Sequence, residues 1–370
     1  MIDTALHRQR LDRLAGNLVA DGIDCAAFLP GANFYYLTGL QFHLMERPTV
    51  LFITADSQAY AIIPELEGAR WQAGAGEVET IFWQDSDGFN DAFEQMSKRL
   101  SVTRIGVEGQ RMRVFEADAL RRHWGPDAIV DAETTLSKMR ILKDECEIDR
   151  MRRAIEISEQ ALERTICSVT KGMSERDIQR TLTTAMFEAG ADGLAFGPIV
   201  LIGAGSADPH GSASDDRKLE RGDALLIDFG ASHGGYHADI TRTFFCEKAD
   251  AEHRALYETV AAANAEGRRL ARPDMTCEAL DEAVTAVLKA SPFADLIVHK
   301  TGHGLGLNVH EDPHIMIGSE TALEPGMVFT VEPGLYRHGS LGVRIEDDVQ
   351  VTSEGCISLT TFDRSLLEIG

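Results

Sequence analysis

Two stretches of this chain each read as a pair of strands folded about glycines with a carboxylate on either arm, and that duplication constrains the fold more than any other feature. The first is ALLIDFGASHGGYHADITRTFF, residues 224–245: an apolar run, a Gly-rich turn and a second run with strand-like alternation. A turn at Gly234 and Gly235 places Asp239 opposite Gly230, diagonal to Asp228 on the same face and about 5–8 Å from it. A turn one residue earlier places the two aspartates directly opposite. Either register crowds two carboxylates, which a fold tolerates poorly without a cation, although two solvated turn aspartates would look the same in this stretch alone.

The second stretch is MVFTVEPGLYRHGSLGVRIEDDVQV, residues 327–351, where Glu332 and Glu346 lie symmetrically about Gly339. A five-residue loop centred there makes them cross-strand partners. In the later strand Val343, Ile345, Val349 and Val351 share one face; Arg344, Glu346, Asp348 and Gln350 share the other, which points Glu346 toward water or a pocket. Between the two stretches lies VHKTGHGLGLNVHEDPH, residues 298–314, with His299, His303, His310 and His314 among three glycines. Two Asp, two Glu and one His offer hard oxygen donors plus one imidazole, a set suited to Mn²⁺, Co²⁺, Fe²⁺ or Zn²⁺ rather than copper or an iron–sulfur centre. Four gathered carboxylates would call for two such ions, and a pair spaced about 3.5–4 Å apart would hold a shared hydroxide active at neutral pH.

The order IDFG, HADITRTF, GHGLGLNVHE, VEPGLY and GVRIEDDV resembles the pita-bread metallopeptidases. With its long N-terminal extension the chain looks most like an Xaa-Pro dipeptidase (prolidase) or aminopeptidase P, strongly over about residues 150–365 and more loosely over the first 130. By position, the resemblance makes Asp228, Asp239, His303, Glu332 and Glu346 the metal ligands, with Asp239 and Glu346 touching both ions. The full set separates the chain from creatinase and the noncatalytic relatives. The resemblance also implies that His210 contacts the scissile peptide, His310 stabilises the tetrahedral intermediate and His299 lines the pocket for the residue after the cleaved bond; an imidazole can donate to an oxyanion or a carbonyl. Glu332 is the candidate proton shuttle. Arg344 is placed near the site as a partner of the surroundings of His310, a substrate contact or a charge balance.

At 370 residues and 44% apolar content the chain can bury two cores. The expected fold is α+β with two domains: a smaller α/β creatinase-like domain over residues 1–131, serving dimerisation and access to the site, and a pita-bread catalytic domain over 132–370, a duplicated antiparallel sheet with covering helices and a leading linker helix. A helix near residues 3–21, the strands CAAFLP, PTVLFIT and AYAIIP, and helices alternating with VETIFW, RIGVEG and AIVDAE support the first part. NFYYLTG, residues 33–39, resembles the creatinase and prolidase N-terminal domains. A long charged helical pattern spans 132–166. Arg47, in LMERPTV, is a candidate donor to a substrate carboxylate, against the ordinary reading of a surface arginine.

Lys and Arg number 36 against 59 Asp and Glu, giving −23, which argues against nucleic acid or an anionic membrane as partner. The six cysteines form no CxxC, and MIDTALHRQRLDRL has no apolar signal core. The chain thus reads as a cytoplasmic, reduced homodimer acting on small peptides with two divalent ions, Mn²⁺ first and Co²⁺, Zn²⁺ or Fe²⁺ as alternatives. A peptidase on longer chains and a nonpeptide small-molecule hydrolase or lyase of the same fold are the other readings.

Overall fold

The computed structural model describes residues 4–76 and 78–370, so residue 3, the expected start of the first helix, lies outside the described residues. The chain divides into two compact units, Met1–Arg140 and Ile141–Gly370.

In the first unit α1 (Thr4–Ala20) buries Leu11, Leu14, Ala15 and Leu18, the spacing of one helical face. In chain order there follow β1 (Cys25–Phe28), α2 (Ala32–Thr38), β2 (Val50–Thr54), β3 (Ala59–Pro64), α3 (Gly68–Gly74), β4 (Glu79–Trp83), α4 (Asn90–Arg99), β5 (Ile105–Val107), α5 (Val114–Trp124), β6 (Ile129–Asp131) and α6 (Glu133–Ser137). The strands form one sheet in the order β4-β3-β2-β1-β5-β6. Its outer pairs β3/β4, β1/β5 and β5/β6 are parallel and its centre antiparallel. Strands β1 and β2 are buried along their whole length, as apolar runs in a covered sheet should be. NFYYLTG forms most of the short helix α2, closed by Gly39 at φ 69°.

The helical pattern over 132–166 does not form one helix. It breaks after α6, Leu142 bridges to Met327, and α7 (Glu145–Ser168) begins afresh at Asp144. The restart is a capping box: Asp144 accepts from the Glu147 amide while the Glu147 carboxylate accepts from the Asp144 amide.

The second unit continues with α8 (Glu175–Glu188), β7 (Gly193–Leu194), β8 (Ile199–Ile202), β9 (Ala224–Phe229), β10 (Ala231–His233), β11 (Tyr236–His237), β12 (Ile240–Cys246), α9 (Ala251–Leu270), α10 (Cys277–Lys289), β13 (Gly302–Gly304), β14 (Glu311–Ile315), β15 (Val328–Val331), β16 (Gly334–Arg337), β17 (Leu341–Arg344), β18 (Asp347–Thr352), β19 (Gly355–Ser358) and β20 (Glu368–Ile369). Its larger sheets run β20-β12-β9-β8 and β14-β13-β15-β18-β19, with smaller ladders β11-β10-β7 and β16-β17. Each half thus follows a helix pair, α7 and α8 or α9 and α10, with an antiparallel hairpin that carries carboxylates. Val260, Val284, Phe329, Val331 and Val349 belong to one buried cluster that joins α9 and α10 to the second sheet.

Candidate metal centre and active site

The first acidic hairpin turns at Gly234 and Gly235, whose φ values of 58° and 82° fit a two-residue loop open to glycine. His233 pairs with Tyr236 and Ile240 with Phe229, so Asp239 falls opposite Gly230 and diagonal to Asp228; of the two registers open in the sequence, this is the one that forms. At Gly230 a Cβ would stand 1.7 Å from the Ala238 carbonyl oxygen, so no side chain fits between the arms there. The second hairpin is centred on Gly339 as expected, but its strands pair one residue closer to the turn, Arg337 with Leu341, leaving a three-residue loop. The same register continues beyond Pro333 as Val331 opposite Asp347, which brackets Glu332 and Glu346.

The two hairpins are sewn together where β12 meets residues 344–346. Glu346 N–H donates to the Thr241 carbonyl at 3.1 Å, and the Thr241 hydroxyl donates to Glu346 Oε2 at 2.6 Å. The face expected to look toward water or a pocket turns Arg344 and Glu346 to the cavity and away from bulk solvent. Arg344, Glu346 and Asp348 are buried, and Asp348 accepts from the Asp239 amide at 3.1 Å.

Three overlapping groups of candidate ligand atoms lie within 4.8 Å of one another: Asp228, Asp239 and Glu346; His303, Glu332 and Glu346; Asp239, His303 and His310. Asp239, His303 and Glu346 each belong to two groups. Burial, then the neighbouring carboxylates, drives the Asp239 and Glu346 carboxyls well above their ordinary range, and burial pushes Glu332 up to about 7. His303 donates from Nδ1 to the Gly304 carbonyl at 3.1 Å, and burial holds its pKa near 3, so the ring is neutral. Its Nε2 lone pair then faces Glu332 Oε1 at 3.4 Å and Asp239 Oδ2 at 3.7 Å with no proton to share. Asp228 Oδ1 is buried with no hydrogen-bond partner. Acceptors facing acceptors around an unpartnered carboxylate oxygen fit divalent cations and little else.

The remaining expected residues separate into three cases. His210, His299, His310 and Arg344 line one cavity of about 1020 Å³ with the five acidic and imidazole groups. His310 is exposed, as is His210, and its ring centroid lies 4.0 Å from that of His303. His299 has both nitrogens engaged: Nδ1 donates to its neighbour's carbonyl at 2.8 Å and Nε2 accepts from the Tyr336 hydroxyl at 2.9 Å. Burial holds its pKa near 4. A neutral ring so tied has no proton for a substrate carbonyl, which removes the donor role expected for it and leaves a wall. Arg344 pairs with Asp228 and donates to the Tyr336 hydroxyl at 2.7 Å and the Thr241 hydroxyl at 3.0 Å, the contacts of a charge-balancing group. Arg47 is bidentate on Asp85 and bonded to Glu46 at the surface of the first unit, and it is not among the residues lining the cavity.

The sequence did not single out Tyr336, Thr241, Asp348 or Lys300. Tyr336 left a trace in its glycines, since a Cβ on Gly334 would stand 2.5 Å from its hydroxyl oxygen and one on Gly342 would stand 2.7 Å from its ring. Thr241 lies two residues beyond Asp239 on the same strand face.

Duplicated antiparallel sheets under paired helices, opening on a carboxylate-lined cavity, are the architecture of the pita-bread metallopeptidases, and the first unit has the fold of the creatinase N-terminal domain. The chain belongs to metallopeptidase family M24: the family model so described matches residues 149–353, and the Creatinase/Prolidase N-terminal domain matches residues 10–142. It is 32% identical to the Xaa-Pro dipeptidase of Pyrococcus furiosus over 97% of this chain and 100% of that one. Among solved structures it is similar to the dipeptidase PepE of Mycobacterium ulcerans (TM-score 0.92, 30% identity, 100% and 99% of the two chains). It is likewise similar to a recombinant prolidase from Thermococcus sibiricus (TM-score 0.91, 32% identity, 100% of both). No helix of the described residues is long and apolar enough to cross a membrane.

Proposed function

We propose that this metallopeptidase is a dinuclear dipeptidase that hydrolyses the Xaa-Pro bond of short peptides. The observation that carries the reading is the convergence of Asp228, Asp239, His303, Glu332 and Glu346 on one cavity, with Asp228 Oδ1 buried and unpartnered. Relatives named as Xaa-Pro dipeptidase and prolidase supply the substrate class. Those five residues hold two divalent ions, Mn²⁺ first among the candidates, with Asp239 and Glu346 serving both. Bound there, the ions supply Lewis acidity toward a peptide carbonyl and a water nucleophile active near neutral pH.

The chain's own residues do the rest. Glu332 moves a proton from the attacking water to the leaving nitrogen, which must gain one before the C–N bond can break. His310 donates to the carbonyl oxygen as charge develops on it, and His210 donates to the scissile peptide. His299, held by Tyr336, forms the wall against the ring of the departing residue. A homodimer in a reducing cytoplasm completes the proposal, and six unpaired thiols support the reducing setting.

The test loads the protein in turn with Mn²⁺, Co²⁺ and Zn²⁺ and assays Ala-Pro, Met-Pro, Ala-Ala and an Xaa-Pro-Xaa tripeptide. The expected result is roughly two ions per chain by elemental analysis, faster cleavage of the Xaa-Pro dipeptides than of Ala-Ala, and no turnover in Glu332→Ala or Asp239→Ala. No hydrolysis of any Xaa-Pro substrate overturns the reading in favour of a nonpeptide substrate. Faster cleavage of the tripeptide moves the assignment to an aminopeptidase.

A further inference from the structure

Two side chains lining the cavity carry a fixed positive charge, Arg344 and Lys300. Arg344 is committed within the protein, to Asp228, Tyr336 and Thr241. Lys300 is not. Its Nζ donates to His314 Nδ1 at 3.0 Å, and no carboxylate of the described residues forms an ion pair with it. Burial, reinforced by Lys300 itself, holds the His314 ring below its ordinary pKa, so this partner is a neutral acceptor that brings no compensating charge. Lys300 is half-buried, and the loss of water lowers its own pKa; Glu332, Asp281 and Asp312 oppose that at longer range. An ammonium partly stripped of water, with a single neutral partner, gains most from an arriving anion.

The backbone around Lys300 is fixed. The Lys300 carbonyl accepts from His299 Nδ1, and the next amide, that of Thr301, donates to the buried Asp281 carboxylate at 2.9 Å. Asp281 also accepts from the Ile317 amide at 3.1 Å, so helix α10 holds both ends of the segment that carries Lys300 and His314. The cation is therefore presented from a rigid base rather than from a mobile loop. A dipeptide carries its carboxylate one carbon from the leaving nitrogen; a longer peptide carries a neutral amide in the same place.

We propose that Lys300, backed by His314, binds the free carboxylate of the residue after the cleaved bond and so sets a preference for dipeptides over longer chains. The inference rests on the peptidase reading above and names the side chain that selects substrate length, a role the sequence had offered to Arg47.

The experiment compares Ala-Pro with its C-terminal amide, and Ala-Ala with its amide, on the metal-loaded wild type, Lys300→Met and Lys300→Arg. The wild type is expected to favour acids over amides. Lys300→Met lowers kcat/KM on Ala-Pro by about 10–100-fold, mostly through KM, the size expected for one hydrogen bond to a charged group. The acid-to-amide ratio collapses with it, and Lys300→Arg recovers most of the ratio. A ratio unchanged in Lys300→Met overturns the proposal. The ratio is internal to each variant, so a partly misfolded preparation does not mimic the effect. Calorimetric binding of a reduced-bond Ala-Pro analogue, as carboxylate and as carboxamide, gives the same comparison without turnover. Loss of the Pro-over-Ala preference with the acid effect intact would instead count against the Xaa-Pro reading alone.

Discussion

At Arg344 the two acidic hairpins meet, and its bonds explain why the cluster survives folding at all. The guanidinium touches Asp228 from the first hairpin, while the Thr241 hydroxyl accepts from its Nε and donates to Glu346 of the second. Two fixed positive charges, Arg344 and Lys300, against four carboxylates leave the cavity short of neutrality, and that deficit is what bound cations would fill. His310 stands outside this lattice, and partial burial still holds its pKa below the ordinary value. A donor that acts on developing negative charge contributes mainly in the transition state. His310→Ala is therefore expected to lower kcat by about 10²-fold with a smaller change in KM, read from steady-state kinetics on Ala-Pro; wild-type kcat would remove the assigned role. At this scale the carboxylate pairs were legible because hairpin symmetry is a local property, whereas His303 stands out among four histidines only through the family resemblance. The tautomer of His299 and the engagement of Arg47 were not legible, because they depend on Tyr336 and Asp85, 37 and 38 residues away in the chain.

At the scale of elements, the register of the first hairpin was readable because a Gly-Gly turn between alternating strands fixes pairing from its centre outward. Asp228 and Asp239 share a face only in that register or its close alternative. Gly235, at φ 82°, holds a conformation in which a β-branched residue is strained by about 1–2 kcal/mol. Gly235→Val should lower the melting temperature by about 2–8 °C, and Gly235→Asn, which tolerates a left-handed backbone, by less. Equal melting of the two variants would mean that the turn conformation does not limit the hairpin. The helix expected across 132–166 shows the opposite case. Its apolar period runs through the break, so periodicity alone could not stop it. The spacing Asp144-x-x-Glu147 was a start signal inside the pattern, and its capping box outweighs the continuity of charge and apolar spacing. Asp348 escaped for a related reason: alternation told which face it shared with Glu346, not that the neighbouring strand would cover that face.

For the whole molecule, the buried carboxylates make stability depend on both metal and pH, and the sign can be worked out. Asp239, Glu332 and Glu346 have folded-state pKa values raised by burial and mutual repulsion, Glu332 to about 7 from an ordinary 4.5. Without ions these three groups therefore bind more protons in the native state than in the unfolded chain above pH 4.5. Unfolding then releases protons from them, and their contribution to stability falls as pH rises from about 4.5 through 7 and beyond. Below that window the carboxyls are neutral in both states and the penalty vanishes. Divalent ions reverse the balance by favouring the ionised native form. At free metal about 100-fold above Kd each site adds about 2.7 kcal/mol, worth roughly 5–10 °C in the melting temperature of a unit this size. Buried, neutral His299 and His303 pull the pH dependence of the stripped protein the other way below about pH 6.5, so the carboxylate load is read in the metal-induced gain in melting temperature, which should be larger at pH 7.5 than at pH 5.5. The measurement is a pair of thermal melts at each pH, stripped and reloaded. A metal-induced gain no larger at pH 7.5 than at pH 5.5, or no gain on reloading, would show that the carboxylate cluster is not under the electrostatic load that its burial implies.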